Sequence, residues 1–390
     1  MLRVGDQLLQ LTIRTHGDIH EIPEEAWDEV ATPGHVVCTH RFLRAVQQSR
    51  VNDCQFFYPV IRDGEKLVAH ACMYLITSEL DMFGDGMVGK LVGALGRCLP
   101  ALTRFHSLEC GTPVALGTTV SIRPGVATPV VLGLLAREGI RLAKKHRADG
   151  VLFRDFLGHE LPVFSALEGH GFRRIPNLLT ASLSVRWRTE EEYAASLRHS
   201  CRRAYRRRRR AMAEGGVSAR VVTDFAPLAD ELAALWRQTY GRAREYRREV
   251  LSPDFFRWIS VELGGDSEAL LLEQDGQRLA FALLLAEQNR LIWLCCGLDY
   301  SRNGQYELYF NLLHEIILRG ISHGVREIDM GITTLDAKKR MGAATRPLHM
   351  YMRHRNLWLR VLAPRIFRWL APSDQSPEHR VFKTANGGSA

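Results

Sequence analysis

The chain has 390 residues, 46 % of them hydrophobic and 24 % charged, enough apolar material for two cores. A net charge of +9 and a pI of about 9.3 exclude an acidic, solvated chain and favour polyanionic partners: nucleic acid, phosphorylated cofactors or an acidic membrane surface. The eight cysteines contain no C-x-x-C pair and no Cys/His cluster at metal spacing, so no metal site is expected and the thiols read as buried and reduced, as in a cytoplasmic protein.

In chain order, MLRVGDQLLQLTIRTHGD lacks the apolar run of a signal peptide, and no later segment reaches the roughly 18 uncharged apolar residues of a membrane helix. Residues 61–76 (IRDGEKLVAHACMYLI) place an Asp-Gly turn between two apolar runs, which predicts a β-hairpin. Residues 81–125 are glycine-rich and read as an insertion or loop; without a closing GK[ST] they are not a phosphate-binding P-loop. A long helix, Gly150 as its left-handed stop, and a strand ending near Asp155 follow in 131–156. Residues 161–185 read as helix, Gly171-Phe172 and strand, which sets a boundary near residue 186.

The second half repeats the series. CRRAYRRRRR (201–210) has seven arginines in ten residues and reads as the basic end of a helix. Five successive arginines encircle more than one turn and repel one another, so they must find anions or stay solvated. Residues 273–288 (EQDGQRLAFALLLAEQ) are a second Asp-Gly hairpin, and 309–332 a second helix, with Gly324 as its stop and a strand carrying Asp329. LWLRVLAPRIFRWLAP near the end is apolar but interrupted by Arg360, Arg365 and Arg368; it is expected to pack on the second domain, or to touch a membrane surface weakly. The polar stretch 373–390 is expected to be a flexible tail.

These stretches carry a resemblance: LEGHGFRRIP (167–176), SLRHSCRRAYRRRRRAMAEGGV (196–217), LWRQTYGRAREYRREVLSPDFFRWI (235–259), the segment 273–300, and YFNLLHEIILRGISHGVREIDMGITTLDAKKRMGA (309–343). In this order they resemble the Fem-like branch of the GNAT superfamily, which holds peptidyl transferases of peptidoglycan crossbridges and tandem-GNAT acyltransferases of biosynthetic clusters. The resemblance implies an α/β fold of two tandem GNAT-like domains, 1–185 and 186–372, each a mixed, mostly antiparallel sheet flanked by helices. It also implies an acyltransferase that joins an activated acyl group to an amine. The expected donor is aminoacyl-tRNA, with tRNA as partner and no bound cofactor. The acceptor is a small-molecule or peptide amine, as in natural-product or cell-wall precursor biosynthesis. Acyl-CoA is the alternative donor, and a non-catalytic RNA- or membrane-binding module on the same scaffold is the third reading.

The candidate residues follow. Arg202, Arg203, Arg206, Arg207, Arg208, Arg209 and Arg210 suit phosphates, because a guanidinium is a planar fork of donors; the alternative is a solvated charged face. GNAT enzymes hold a pyrophosphate on an R/Q-x-x-G-x-G/A loop at a helix N-terminus. DYSRNGQYELYF (299–310) has Arg302 and Gly304 without that spacing, and SIRPGVATP (121–129) is one residue short. A degraded loop favours aminoacyl-tRNA over coenzyme A. Lys338, before Met341-Gly342, suits a phosphate or a developing oxyanion, or is a surface lysine. Asp329 suits an acceptor amine or caps its strand. Glu307 and His314, seven residues apart, are placed on one helix face as candidate bases. Asp299, Tyr300 and Asp155 complete the set as substrate contacts.

Overall fold

The computed structural model describes residues 2–4, 7–9, 11–79, 104–243, 248–370 and 377–383. Most of the glycine-rich stretch 81–125, including the glycines of 84–97 and Cys98, lies outside the described residues. The chain forms two compact units that are not cut at a single point: one holds residues 1–179, 244–262 and 347–373, the other 180–243, 263–346 and 374–390.

The first unit opens with a short hairpin, β1 (Leu2–Val4) and β2 (Gln7–Leu9), followed by β3 (Leu11–His16), α1 (Glu24–Asp28) and α2 (His40–Gln48). The Asp-Gly turn then joins β4 (Gln55–Asp63) to β5 (Lys66–His70), with Gly64 at φ +58. Next come β6 (Met73–Glu79), β7 (Arg104–Cys110), β8 (Ser121–Ile122), α3 (Thr128–Lys145), β9 (Gly150–Phe156) and α4 (Leu161–Phe164). All strand pairs here are antiparallel except β7 with β9. The stop of α3 differs from expectation: Arg147 is left-handed at φ +58, and Gly150 opens the strand. A Cβ on Gly150 would meet the Arg353 carbonyl and the Phe105 ring at 3.1 Å, so this glycine serves close approach rather than helix termination.

The second unit receives the end of β10 (Arg173–Ser184) and continues through α5 (Glu190–Ser196), α6 (His199–Glu214), β11 (Ser218–Val222) and α7 (Ala229–Arg242). Helix α8 (Pro253–Leu263) belongs almost wholly to the first unit. The second unit resumes with β12 (Ser267–Gln274), β13 (Gln277–Ala286), β14 (Arg290–Leu298), α9 (Tyr300–Tyr306), α10 (Leu308–Ser322), β15 (Glu327–Gly331) and α11 (Leu335–Lys339). Asp275 and Gly276 both have positive φ, +50 and +77, which is the two-residue hairpin turn that matches strand twist. Its sheet runs β11-β12-β13-β14-β15-β10, antiparallel except for β14 beside β15. Strands β12 and β13 are buried on both faces, as their unbroken apolar runs require. Leu312, Leu313, Ile316 and Ile317 of α10 pack on one face, and Gly297 lets the backbone of α7 approach the other.

Finally β16 (Ala344–His354) and α12 (Leu357–Leu370) return to the first unit. Phe367 of α12 packs on Leu152, Ile175, Met350 and Met352 of the first unit, whereas packing on the second domain is the expectation from the sequence. The expected flexible tail is also corrected in part. Residues 377–383 are docked: Val381 is buried, Phe382 bridges to Leu197, and the Phe382 ring fills the space that a Cβ on Gly342 would take. Two apolar residues in a polar tail suffice to anchor it.

Candidate functional site

In the second unit, β14 and β15 pair in parallel over only three residues, Arg290↔Glu327, Leu291↔Ile328 and Ile292↔Asp329. Beyond that they part: β14 runs on to Leu298 beside β13, and β15 to Gly331 beside β10. A register shift between Leu283 and Leu284 leaves Leu294 without a partner on β13, a bulge that bends β14 where the strands separate. The opening lies at the carboxyl ends of a parallel pair, where open α/β sheets bind ligands.

Short helix α11 carries Lys338 to this place. The residue is 2 % exposed, and its Nζ lies 5.0 Å above the Trp293 ring, an attraction of cation and aromatic face. Burial pushes the neighbouring Cys296 thiol up to about 12, against the pull of the Lys338 charge, so this cysteine is a neutral wall and not a nucleophile. Tyr309 packs near Trp293, and its hydroxyl meets Thr334 at 2.6 Å. Asp329 Oδ1 accepts from Gly331 N at 3.0 Å, and Arg290 stands 3.9 Å from the other oxygen; Asp329 therefore caps its own strand end beside the opening.

Helix α6 answers how a run of arginines is accommodated. Tyr205 and Met212 face the core. Arg208 Nε and Arg207 Nη2 each donate to Glu307 at 2.8 Å, and Arg209 pairs with Glu315. The exposed residues Arg203, Arg206, Arg207 and Arg210 recur at i, i+3, i+4 and i+7, which is one face of a helix. Arg208 and Arg209 are thus bound to internal carboxylates, while Arg207, though paired with Glu307, stays exposed and joins Arg203, Arg206 and Arg210 in a solvent-facing basic stripe.

Residues 199–339 match the family described as the acetyltransferase (GNAT) domain. This segment is similar to GNAT acetyltransferase domains. Over 90 % of the chain and 99 % of the other, the fold is that of FemX, with 12 % identity and a TM-score of 0.55. The C-terminal domain of a "Putative Lysylphosphatidylglycerol Synthetase" from Agrobacterium fabrum aligns over 87 % of this chain and 94 % of its own, with 12 % identity and a TM-score of 0.51. By sequence, the "Putative 8-amino-7-oxononanoate synthase 2" of Mycobacterium tuberculosis is 27 % identical over 351 residues, 86 % of this chain but 45 % of that protein. The chain therefore spans about half the length of the curated relatives it matches. The Fem-like GNAT fold expected from the sequence is the fold observed.

Within the second unit, the structure rearranges several of the expected roles. The loop expected at 299–310 is helical: α9 covers Arg302 and Gly304, and Asp299 is its N-cap, accepting from Ser301 N at 2.9 Å. Arg302 points to Gln274, at 3.5 Å, and Tyr300 lies under the Arg242 guanidinium at 4.7 Å. Glu307 is not on a face of α10 with His314. It is the left-handed residue (φ +46) between α9 and α10, at the N-terminus of α10 where a GNAT enzyme would place pyrophosphate. Burial opposes its ionisation, but hydrogen bonds from Arg208 and Arg207 hold its carboxyl below the usual range.

His314 is 3 % exposed, beneath Tyr205 and 3.3 Å from the Tyr193 hydroxyl. Burial, reinforced by Arg208 and Arg209, pushes its pKa well below 6.5, so it folds as the neutral ring. The unfolded chain then takes up the proton first, and stability present above pH 6.5 is lost as pH falls toward the depressed folded value. Going from pH 7.5 to 5.5 should cost on the order of 1 kcal/mol through this residue. Thermal midpoints across that range should flatten in His314→Gln.

The first unit holds a buried charge cluster that sequence reading resolved only at Asp155. Arg154 Nε meets Asp155 Oδ2 at 2.8 Å, Asn177 Nδ2 donates to Oδ1 at 2.8 Å, and Arg154 and Arg248 both reach Glu109 Oε2, at 2.9 and 2.5 Å. Tyr74 donates to the same Glu109 oxygen at 2.8 Å. Asp155 has φ +68 at a bulge where the register slips between His349 and Tyr351 of β16. Burial raises its carboxyl pKa despite Arg154, whereas the two guanidiniums overcome burial and hold Glu109 at about 2. The signal for the missed members is weak: Glu109 is one charge inside a strand, Arg248 one of several charges after a helix, and Tyr74 and Asn177 are uncharged.

Proposed function

We propose that the chain transfers an aminoacyl group from aminoacyl-tRNA to an amine, with the reacting carbonyl at the opening between β14 and β15. The observation that carries this reading is the pairing of two features. At the α10 N-terminus Asn303 Oδ1 already accepts from Tyr309 N at 3.0 Å, Glu307 is taken up by Arg207 and Arg208, and α6 presents an exposed basic stripe, Arg203, Arg206, Arg207 and Arg210. A donor held mainly through a strand of phosphates fits such a stripe better than one held by a single pyrophosphate.

The chemistry is amine attack on the ester carbonyl. The C–N bond forms, the bond from carbonyl carbon to the ribose oxygen breaks, and the ribose hydroxyl leaves with a proton lost from the amine. Lys338 supplies a charge that strengthens as the carbonyl oxygen becomes an oxyanion. Asp329 is the acidic group at the strand end that orients the acceptor ammonium before deprotonation. Much of the rate comes from positioning two reactants. Glu307 and His314 act by holding α6 against α10 rather than by proton transfer, and Asp299 shapes the start of α9. The parting of β14 from β15 also admits a pantetheine arm, which keeps acyl-CoA as the second reading.

Arg203→Gln/Arg206→Gln/Arg210→Gln tests the donor. These three residues are exposed, so the fold should survive. The slope of log affinity for tRNA against log salt should fall by about 2 to 3. An unchanged slope would remove the stripe from donor binding.

A further inference from the structure

Helix α12 carries an apolar face that its own unit does not cover. At 100° per residue, Arg360 and Phe367 share one side: Phe367 packs into the first unit, and Arg360 Nη2 donates to the His354 carbonyl at 3.2 Å. The opposite arc holds Leu357, Trp358, Val361 and Leu362, followed by Arg365 and Arg368. Trp358 is 78 % exposed, Leu357 64 % and Val361 54 %. Among the described residues, the other large exposed hydrophobics are Leu359 on the same helix and the scattered valines Val163, Val250 and Val261, so every exposed leucine and tryptophan lies on this helix. The local charge has one sign: residues 337–373 contain no Asp or Glu, and Arg355, Arg365 and Arg368 are exposed on or beside the helix. Asp149 offsets Arg355 alone, at 3.3 Å.

We infer that α12 seats on an anionic lipid surface, with the Leu357–Leu362 arc at the acyl boundary and Arg365 and Arg368 at the phosphates. Fourteen helical residues measure about 21 Å, short of the roughly 30 Å hydrocarbon core, so the helix lies in the plane of the surface. A tryptophan at its outermost point suits the interface, where an aromatic body and a polar N–H are both satisfied. A second copy of the chain is a poorer occupant, because two such arcs would bring like charges together. The inference stands independently of the acyl-transfer reading.

The test is co-sedimentation of the full chain with vesicles of phosphatidylcholine alone and of phosphatidylcholine with phosphatidylglycerol. Binding should require the anionic lipid and weaken at 0.5 M salt, where the screening length shrinks (about 3 Å at 1 M). Trp358→Ser/Leu362→Gln should lower the partition coefficient roughly tenfold or more. Arg365→Gln and Arg368→Gln should each cost about fivefold. The replaced side chains are exposed, so thermal midpoints should stay at the parent value. Absence of binding to the anionic vesicles, or equal binding by the parent and the apolar variant, overturns the inference. So does a dimer in solution that the apolar variant converts to monomer, which would assign the arc to a second copy.

Discussion

Lys338→Met should lower turnover about a hundredfold while leaving donor affinity and thermal midpoint near the parent values. The lysine is buried over Trp293 on the short helix that faces the parting of β14 and β15. In the ground state the carbonyl needs little from it; the interaction grows as the oxygen gains charge, so its loss falls on turnover rather than on binding. Removal of one donor of this kind typically costs about 3 kcal/mol. Methionine has a similar volume and keeps an unbranched side chain packed on the Trp293 ring. Retention of turnover within threefold would remove Lys338 from the reaction and leave it a packing residue.

Gly297→Val should destabilise the second unit by about 3 kcal/mol or more. A Cβ at this position would lie 2.5 Å from Leu235 C and from Trp236 N, and 2.5 Å from a Phe281 ring carbon. Two of these neighbours are backbone and cannot rotate away, so either α7 lifts from the sheet or β14 shifts, as in other overpacked cores. The thermal midpoint should fall by roughly 6 °C or more. Gly304→Ala is the contrasting case: its Cβ meets nothing within 4 Å, and a glycine inside α9 costs helix stability. That substitution should be neutral or stabilise by about 1 kcal/mol. Equal melting of Gly297→Val and the parent would contradict the packing of α7 on β14.

The elements read best from the sequence are those set by local rules. Both Asp-Gly hairpins are present, and Asp275-Gly276 has the backbone its turn requires; Gly324 ends its helix in the left-handed region. Gly150 misled because glycine signals two things, a helix stop and a close approach, and only the tertiary neighbours Arg353 and Phe105 distinguish them. The site is less legible for a related reason. That β14 and β15 separate after Ile292 depends on which strand each keeps as its other neighbour, information spread across residues 180–331. The arginine run was visible, but its division into paired and exposed members follows from Glu307 and Glu315, about a hundred residues away. Helical periodicity placed Glu307 and His314 on one face, and the break of the helix at Glu307 separates their roles. For the Asp155 cluster, Glu109 is a lone charge in its strand and Arg248 is one of several charges in REYRREV (244–250); they converge only through the strands and segments of the first unit.

A donor held through nucleic-acid phosphates and one held through coenzyme A separate in filter binding of tRNA beside calorimetry with coenzyme A at the same salt concentration. For the proposed donor, tRNA should bind at micromolar concentration, more tightly at low salt, more weakly in Arg203→Gln/Arg206→Gln/Arg210→Gln, and with little competition from coenzyme A. Coenzyme A binding with only weak tRNA association that salt erases would contradict that reading and make acyl-CoA the donor.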